Sequence, residues 1–325
     1  MTPPAPRANP VFAGHEEAVD ALRHAAQRGR LHHGWLLTGP QGIGKATLAY
    51  RFARWLLAGS QSDDLSVAEN AGVFRRVAAA THPDLFTVER RVNAKTGKMQ
   101  GEIVIATVQE ASAFMRLTPA EGGWRVVVVD GAEDMNVNAA NALLKLLEEP
   151  PPRAILLLVS AAPGRLLPTI RSRCRVLPLA RLADAPMREL MELYMPALEP
   201  SSRTRLIELA EGSIGAALSL TQGDGVALAA LVDEALDKRV APARAQAIAD
   251  EVARATENGD KFEMFFTLLR TRLAGRIRSA ARAGAGNPYN ISLWQDFGKL
   301  ERDVLGLNMD KRAAIIVALE QLHKS

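Results

Sequence analysis

The sequence has a single cysteine, Cys174, among its 325 residues. One thiol cannot form an internal disulfide or a cysteine-based zinc site, so the sequence predicts a reducing compartment and no structural zinc. It also lacks any run of 18 apolar residues, which excludes an ordinary membrane-spanning helix. The first residues have no apolar core of the signal-peptide kind. We therefore expect a cytoplasmic protein with no membrane partner.

The chain also has little excess of charge of either sign. Its 40 basic and 36 acidic residues give a formal net charge of +4. Proteins that bind nucleic acid usually carry a concentrated basic face, so this balance permits DNA contact but does not argue for it. One basic stretch interrupts the balance, and at helical spacing its members scatter around the axis. It consists of Arg270, Arg272, Arg276, Arg278 and Arg282. A solvated helix and a contact with DNA or an acidic partner both remain open for it.

The pattern of the chain changes near residue 180. Before it, β-branched and apolar runs alternate with helical periodicity, which predicts a parallel sheet covered on both faces. Residues 1–10 are proline-rich and are expected to be loose, and residues 59–80 show only weak patterning. Beyond residue 180 the pattern is helical throughout, with breaks at Pro242 and at 284–288. We therefore predict an α/β domain at 1–180, a small helical domain at 181–224 and a larger helical domain at 225–325.

A glycine-rich loop between the first predicted strand and a helix reads GPQGIGKATLA, residues 39–49. It fits the phosphate-binding pattern G-x-x-x-x-G-K-[ST] up to Lys45. Gly42 and Gly44 allow the backbone N–H groups to face a phosphate, and Lys45 would reach the outer phosphates. The next residue is Ala46, where a hydroxyl normally holds Mg²⁺. The candidate nucleotide-binding residues are Gly39, Gly42, Gly44, Lys45, Thr47 and Asp130.

Asp130 ends the second long apolar run, VVVVDGAED, where an ATPase places an acidic residue for Mg²⁺. The next position should hold a glutamate that orients the attacking water, but it is Gly131. Glu133 lies two residues further and is expected to point elsewhere. Because the residues for metal and for water are both missing, the sequence predicts absent or very slow hydrolysis in this site.

Four segments in a fixed order carry a resemblance to a known family. They are HHGWLLTGPQGIGKATLA at 32–49, HPDLF at 82–86, NALLKLLEEPP at 141–151 and the triplet Ser172-Arg173-Cys174. Over roughly residues 10–180 the sequence resembles the clamp-loader family of AAA+ ATPases. The triplet is a signature of this family and is expected just after a sheet strand.

The resemblance implies a fold and a set of partners. The fold would be an AAA+ P-loop domain with a parallel sheet, a helical lid and an all-helical C-terminal collar that joins a five-subunit ring. The partners would be the gamma/tau and delta subunits, with the sliding clamp and primed DNA reached through the complex. Arg173 would act in trans on a neighbouring subunit's ATP, since a guanidinium can make bidentate contacts to phosphate oxygens. Arg171 and Arg175 are expected only to be solvated or paired nearby.

The sequence departs from the family at three places. Residues 57–81 lack the four cysteines that bind zinc in many relatives, Ala46 replaces the hydroxyl, and Gly215 stands where ATP-using relatives place a nucleotide-sensing arginine. Together with Gly131, the last two resemble the non-hydrolysing member of the ring, which works within a DNA-directed DNA polymerase. Two alternatives stay open: an independently active ATPase motor and a DNA-binding protein with a relic nucleotide fold. The sequence also leaves open whether ATP or ADP still binds without hydrolysis.

Overall fold

A computed structural model of the chain describes residues 3–323 except 30, 60, 93–96, 98, 222–224, 255–260 and 308. The chain divides into two compact units, Met1–Ala216 and Ala217–Ser325. The predicted end of the small helical domain, residue 224, lies outside the described residues. The finer division into three domains stays a prediction.

The first unit is built on a five-stranded parallel sheet. Its strands are β1 (Gly34–Thr38), β2 (Leu85–Val88), β3 (Arg125–Asp130), β4 (Ala154–Ser160) and β5 (Arg175–Pro178). Their order across the sheet is β2-β3-β4-β1-β5. Every residue of β1 and β4 is buried, as the continuous apolar runs predict for a sheet covered on both faces. The predicted α/β fold class is confirmed.

Helices cover both faces of this sheet. They are α1 (Glu16–Gln27), α2 (Lys45–Leu57), α3 (Gly72–Ala78), α4 (Ile105–Arg116), α5 (Val137–Glu148) and α6 (Pro168–Ser172). After β5 the chain continues in α7 (Asp184–Tyr194), α8 (Pro200–Ala210) and α9 (Ile214–Thr221), and the boundary between the two units falls within α9. Successive strand residues point to opposite faces. In β1, Trp35 and Leu37 pack in one core with α1 and α2, whereas Leu36 packs in the other with α4 and α5.

The second unit is helical in its described residues. Its helices are α10 (Gly225–Asp237), α11 (Pro242–Ala253), α12 (Lys261–Arg282), α13 (Pro288–Leu307) and α14 (Lys311–Gln321). Helices α11 and α13 begin at prolines, whose fixed φ suits the first helical turn. The core contains Phe262, Phe265 and Phe266 of α12 with Phe297 of α13, all fully buried. Among the described residues no single helix is long and apolar enough to cross a membrane, and only the bent pair α9 and α10 passes such a test together.

Two stretches differ from the sequence prediction. Helix α3 lies in the weakly patterned stretch, where its two buried residues are too few to show a period. The expectation that residues 1–10 are loose is wrong for residues 7–10. The guanidinium of Arg54 donates to the carbonyls of Arg7 and Asn9 at 2.8 Å each, and Arg51 donates to the carbonyl of Pro10 at 2.8 Å. These two buried arginines of α2 hold the N-terminal segment in place.

Candidate functional site

The glycine loop lies at the carboxyl end of β1 and leads into α2. Gly39, Gly42 and Gly44 have φ values of 142°, 75° and 102°, a region that favours glycine strongly over other residues. Gly44 is the residue that caps the amino end of α2. The structure thus places the predicted loop in the strand-loop-helix setting that a phosphate site requires.

Lys45 does not extend away from the loop. Its ammonium donates to the carbonyls of Gly39 at 2.8 Å and Pro40 at 2.5 Å, and the side chain is buried. Burial lowers the pKa of Lys45, and the charges of Glu133 and Asp130 oppose that shift. The ammonium group that would contact a phosphate is therefore hydrogen-bonded to the backbone of its own loop.

The hydroxyl expected directly after Lys45 is absent, and the nearest one belongs to Thr47, one residue further along the chain. Ala46 packs against the core between α2 and the sheet, so the position that normally holds Mg²⁺ is apolar. Thr47 follows in the first turn of α2 and is half-buried. Consecutive residues of an α-helix are rotated by about 100° around its axis, so Thr47 faces a different direction from the residue it would have to replace.

Of the two adjacent acidic residues that hydrolysis needs at the end of β3, only Asp130 is present. Asp130 ends the strand, and burial raises its pKa, with Glu89 and Glu133 adding to the shift. Gly131 follows at φ 76°, and a Cβ built there would lie 2.9 Å from a carboxylate oxygen of Asp134. The backbone conformation at position 131 therefore disfavours a side chain, and a water-orienting glutamate there would require the Asp134 carboxylate to move.

Glu133 is directed to the end of β4 by a hydrogen bond. Its Oε1 accepts from the N–H of Ala161 at 2.7 Å, while its Oε2 is buried without a hydrogen-bond partner among the described residues. Its charge still reaches Lys45, where it is the largest effect opposing the lowered pKa. Glu133 thus contributes negative charge to the loop region, but its bound oxygen is fixed to the backbone beyond β4.

The residues before and at the start of α9 close against the loop. The hydroxyl of Ser213 donates to the carbonyl of Gln41 at 2.9 Å, and the N–H of Gly215 donates to the carbonyl of Gly42 at 2.9 Å. A Cβ on Gly42 would lie 2.5 Å from the Ser213 Oγ, and one on Gly215 would lie 2.8 Å from the Gly42 Cα. The position predicted to lack the sensing arginine is therefore packed directly on the loop backbone, where no longer side chain fits.

The N-terminal segment covers the same loop, which the sequence did not predict. The imidazole of His15 is 2.9 Å from the carbonyl of Ile43, and the Phe12 ring lies beside Gly44, 3.5 Å from a Cβ built there. Asn9 is buried, and its amide donates to the hydroxyl of Tyr194 on α7 at 2.9 Å. The signal that could have found this segment is the pair of arginines inside the otherwise apolar face of α2.

Arg173 lies at a different place, at the amino end of β1. It is the residue that ends α6, two residues before β5 begins, so the expectation that the triplet follows a strand is wrong. Its Nη2 is 2.8 Å from Oε1 of Glu148, and its Nη1 donates to the carbonyl of Thr169 at 3.2 Å. The chain inserts a helical turn before the triplet because Pro168 starts a helix well.

Three of the four signature segments meet around Arg173. The imidazole of His33 is 2.9 Å from the carbonyl of Leu147, which joins the start of β1 to the end of α5. A Cβ on Gly34 would lie 2.8 Å from a Leu147 methyl and 3.4 Å from the sulfur of Cys174. Burial raises the pKa of Cys174 to about 12, so this thiol is a packing residue rather than a nucleophile.

The basic stretch of α12 is largely paired within its own unit. Arg270 also stacks on Trp294, with its guanidinium 4.9 Å from the ring centre. The ion pairs are Arg270–Glu301 at 3.0 Å, Arg272–Asp233 at 3.3 Å and Arg276–Asp237. Arginines bound in this way support the interpretation of a solvated helix over that of a free basic surface.

No group of three or more His, Cys, Asp or Glu side chains that could hold a metal occurs in the part of the chain that the structure describes. The stacked His32 and His33 bind backbone carbonyls instead, at 2.8 Å to Gly34 and 2.9 Å to Leu147. Near the glycine loop, the carboxylates of Asp130 and Glu133 act on the Lys45 ammonium, and Glu89 and Asp134 add negative charge around Asp130.

A family profile described as "DNA polymerase III, delta subunit" matches residues 14–183, just over half of the chain. The chain belongs to this family. The matched residues include the glycine loop, the end of β3 and the Arg173 site. The resemblance to clamp-loader proteins that the sequence indicated is therefore confirmed at the level of the family.

Curated relatives of this delta-subunit family member are themselves DNA polymerase III subunits. The delta' subunit of Pseudomonas aeruginosa is 44% identical over 142 residues, which are 44% of this chain and 41% of that protein. The delta' subunit of Escherichia coli is 35% identical over 200 residues, 61% of this chain and 57% of that protein. The Escherichia coli tau subunit is 31% identical over 65% of this chain and 33% of its own length. The chain thus spans about half of the length of the delta' relatives.

Among solved structures, a DNA polymerase III gamma subunit-related protein of Thermotoga maritima has a TM-score of 0.43 at 17% identity, over 94% of this chain and 100% of that one. The RuvB Holliday junction branch migration motor of Thermotoga maritima has a TM-score of 0.47 at 16% identity, over 96% and 91%. Neither likeness identifies a function for this chain.

Proposed function

We propose that this chain is a clamp-loader subunit of DNA polymerase III that hydrolyses no ATP itself and supplies Arg173 to a neighbouring subunit's nucleotide. One observation carries the proposal: Arg173 and the chain's own glycine loop lie at opposite ends of β1. The Arg173 carbonyl lies 3.4 Å from a Cβ built on Gly34, whereas the loop begins at Gly39. The five residues of β1 at about 3.3 Å each separate them by roughly 17 Å. No arginine side chain spans that distance, so Arg173 cannot reach a nucleotide in its own loop.

The chain's own loop supports the first half of the proposal. It has no hydroxyl at Ala46 and no water-orienting acid at Gly131, whose positive φ favours glycine. A nucleotide entering it would have to displace the Lys45 ammonium from two carbonyls and share space with Gly215. We propose that any ATP or ADP bound there is not hydrolysed. This counts against the rival function, an independently active ATPase motor.

The relatives, which are named as delta' and tau subunits, support a proposed assembly with such subunits. We place the chain in a five-subunit ring with gamma/tau and delta subunits, joined through its C-terminal helices, with the sliding clamp and primed DNA as the targets of the ring. The paired arginines of α12 count against a second rival, a free-standing DNA-binding protein. With one cysteine, we propose that this member carries no zinc module.

The test compares Arg173→Ala with Arg171→Ala, an identical change at an exposed arginine of the same helix. Rings assembled with each variant are measured for assembly, DNA-stimulated ATPase and clamp loading. An arginine finger contributes roughly 10³–10⁵ in rate at its own site. Because the ring has other ATP sites, Arg173→Ala should lower total ATPase in part and clamp loading further, with normal assembly, while Arg171→Ala should match the unmodified ring. Normal loading by the Arg173→Ala ring would refute the proposal.

A further inference from the structure

Arg173 is held by two contacts from its own chain. Its Nη2 forms an ion pair with Oε1 of Glu148 at 2.8 Å, and its Nη1 donates to the Thr169 carbonyl at 3.2 Å. The side chains of Arg173 and Glu148 are 37% and 47% exposed. The guanidinium is thus accessible and yet fixed at both terminal nitrogens.

The Glu148 carboxylate stands on a rigid support. Glu148 is the last residue of α5, directly after Leu147, which is buried in the core. The Leu147 carbonyl is bound by His33, and its side chain packs against Gly34 at the start of β1. The backbone that carries Glu148 is therefore anchored to the start of β1, and β1 pairs with β5, the strand that follows Arg173.

We propose that Glu148 is a positioning residue for Arg173, an inference that rests on the proposed trans-acting role of Arg173. A guanidinium has five N–H donors in a fixed plane. Glu148 accepts from one N–H of Nη2, and Thr169 accepts from one N–H of Nη1. The second N–H of each terminal nitrogen and the Nε–H remain available to a phosphate. Two parallel donors in a fixed orientation are what bidentate phosphate contact requires. Glu148 holds the finger in that orientation before the neighbouring nucleotide arrives.

The size of the effect follows from the freedom that Arg173 would regain. Ordering a long side chain on binding weakens an interaction by about 2- to 10-fold. Glu148→Ala should therefore lower the DNA-stimulated turnover of the affected site by about 2- to 10-fold, much less than loss of Arg173 itself. Because the neighbour and not Arg173 binds the ground-state nucleotide, kcat should fall while KM for ATP stays unchanged.

The matched control is Glu149→Ala. Glu149 is the adjacent exposed carboxylate, and among the described residues it has no ion pair. Both variants should keep the melting temperature of the chain, since exposed ion pairs add little stability. In assembled rings Glu149→Ala should behave as the unmodified protein, and Glu148→Ala should show the reduced kcat.

A double-mutant cycle decides between positioning and a separate structural role. If Glu148 acts through Arg173, the ring with both Glu148→Ala and Arg173→Ala should be no slower than the ring with Arg173→Ala alone. An additive loss, or a faster Glu148→Ala ring, would overturn the inference, as would equality with Glu149→Ala. Those results leave the proposed function standing as long as Arg173→Ala itself impairs loading. An Arg173→Ala ring that loads normally would refute both.

Discussion

Gly215→Ala is the substitution for which the structure gives the clearest expectation. The added methyl would lie 2.8 Å from the Cα of Gly42 and 3.3 Å from its carbonyl oxygen. Both obstacles are backbone atoms of the glycine loop, which cannot rotate away as a side chain can. The start of α9 must therefore move off the loop, and the hydrogen bond from the Gly215 N–H to the Gly42 carbonyl is weakened or lost.

The magnitude is a balance of two effects. Overpacking in a tight contact costs about 1–3 kcal/mol. Alanine offsets up to about 1 kcal/mol of this, because it is a better helix former than glycine. The net free energy of unfolding should fall by about 1–2 kcal/mol. For a unit of this size each kcal/mol lowers the melting temperature by about 2–4 °C.

The assay is thermal and urea unfolding followed by circular dichroism, with Gly164→Ala as the matched control. Gly164 lies in a short exposed turn, and a Cβ built there has no described atom within 4 Å. The control should leave stability unchanged or slightly raised. If Gly215→Ala were as stable as Gly164→Ala, the close packing of α9 on the loop would be refuted.

Two further predictions concern stability. Burial lowers the pKa of His82, with the Glu121 charge opposing, so the folded state binds its proton less readily than the unfolded state. The contribution of His82 to the free energy of unfolding is present above about pH 6.5 and is lost as pH falls through the lowered pKa. Urea unfolding should therefore give a lower free energy of unfolding at pH 5.5 than at pH 7.5. His82→Gln should reduce the difference between these two free energies. Arg54→Ala should destabilise by about 2–4 kcal/mol, since it leaves the Arg7 and Asn9 carbonyls without their donor, and should speed proteolysis of the N-terminal segment. Arg188→Ala, at an exposed arginine, should do neither, and equal proteolysis of the two would contradict the role of Arg54.

The sheet and the loop were predictable because their signals are local. The run at 125–130 contains four consecutive valines, and a strand buried on both faces of a sheet typically has such a continuous apolar run. The glycine loop has positive φ at Gly39, Gly42 and Gly44, so glycines at that spacing predict its backbone conformation.

The contacts that close the site were not predictable, because they join residues far apart in the chain. Arg54 binds Asn9 across 45 positions, and the Ser213 hydroxyl binds Gln41 across 172. Proline-rich composition alone indicates a loose segment, whereas buried guanidinium donors hold this one. The Glu148 contact to Arg173 was missed for the same reason, although both residues lie inside segments that carried the family resemblance.

ATP turnover by the isolated chain tests the central claim most directly, namely that this subunit's own loop does no hydrolysis. Purified chain is measured with ATP and Mg²⁺ beside its Lys45→Ala variant, which removes the loop's one positive side chain and reports any contaminating activity. The absence of a hydroxyl at Ala46 and of an acid at Gly131 predicts the same background rate for both proteins. Turnover above background that Lys45→Ala abolishes would show an active site in this loop and contradict the account.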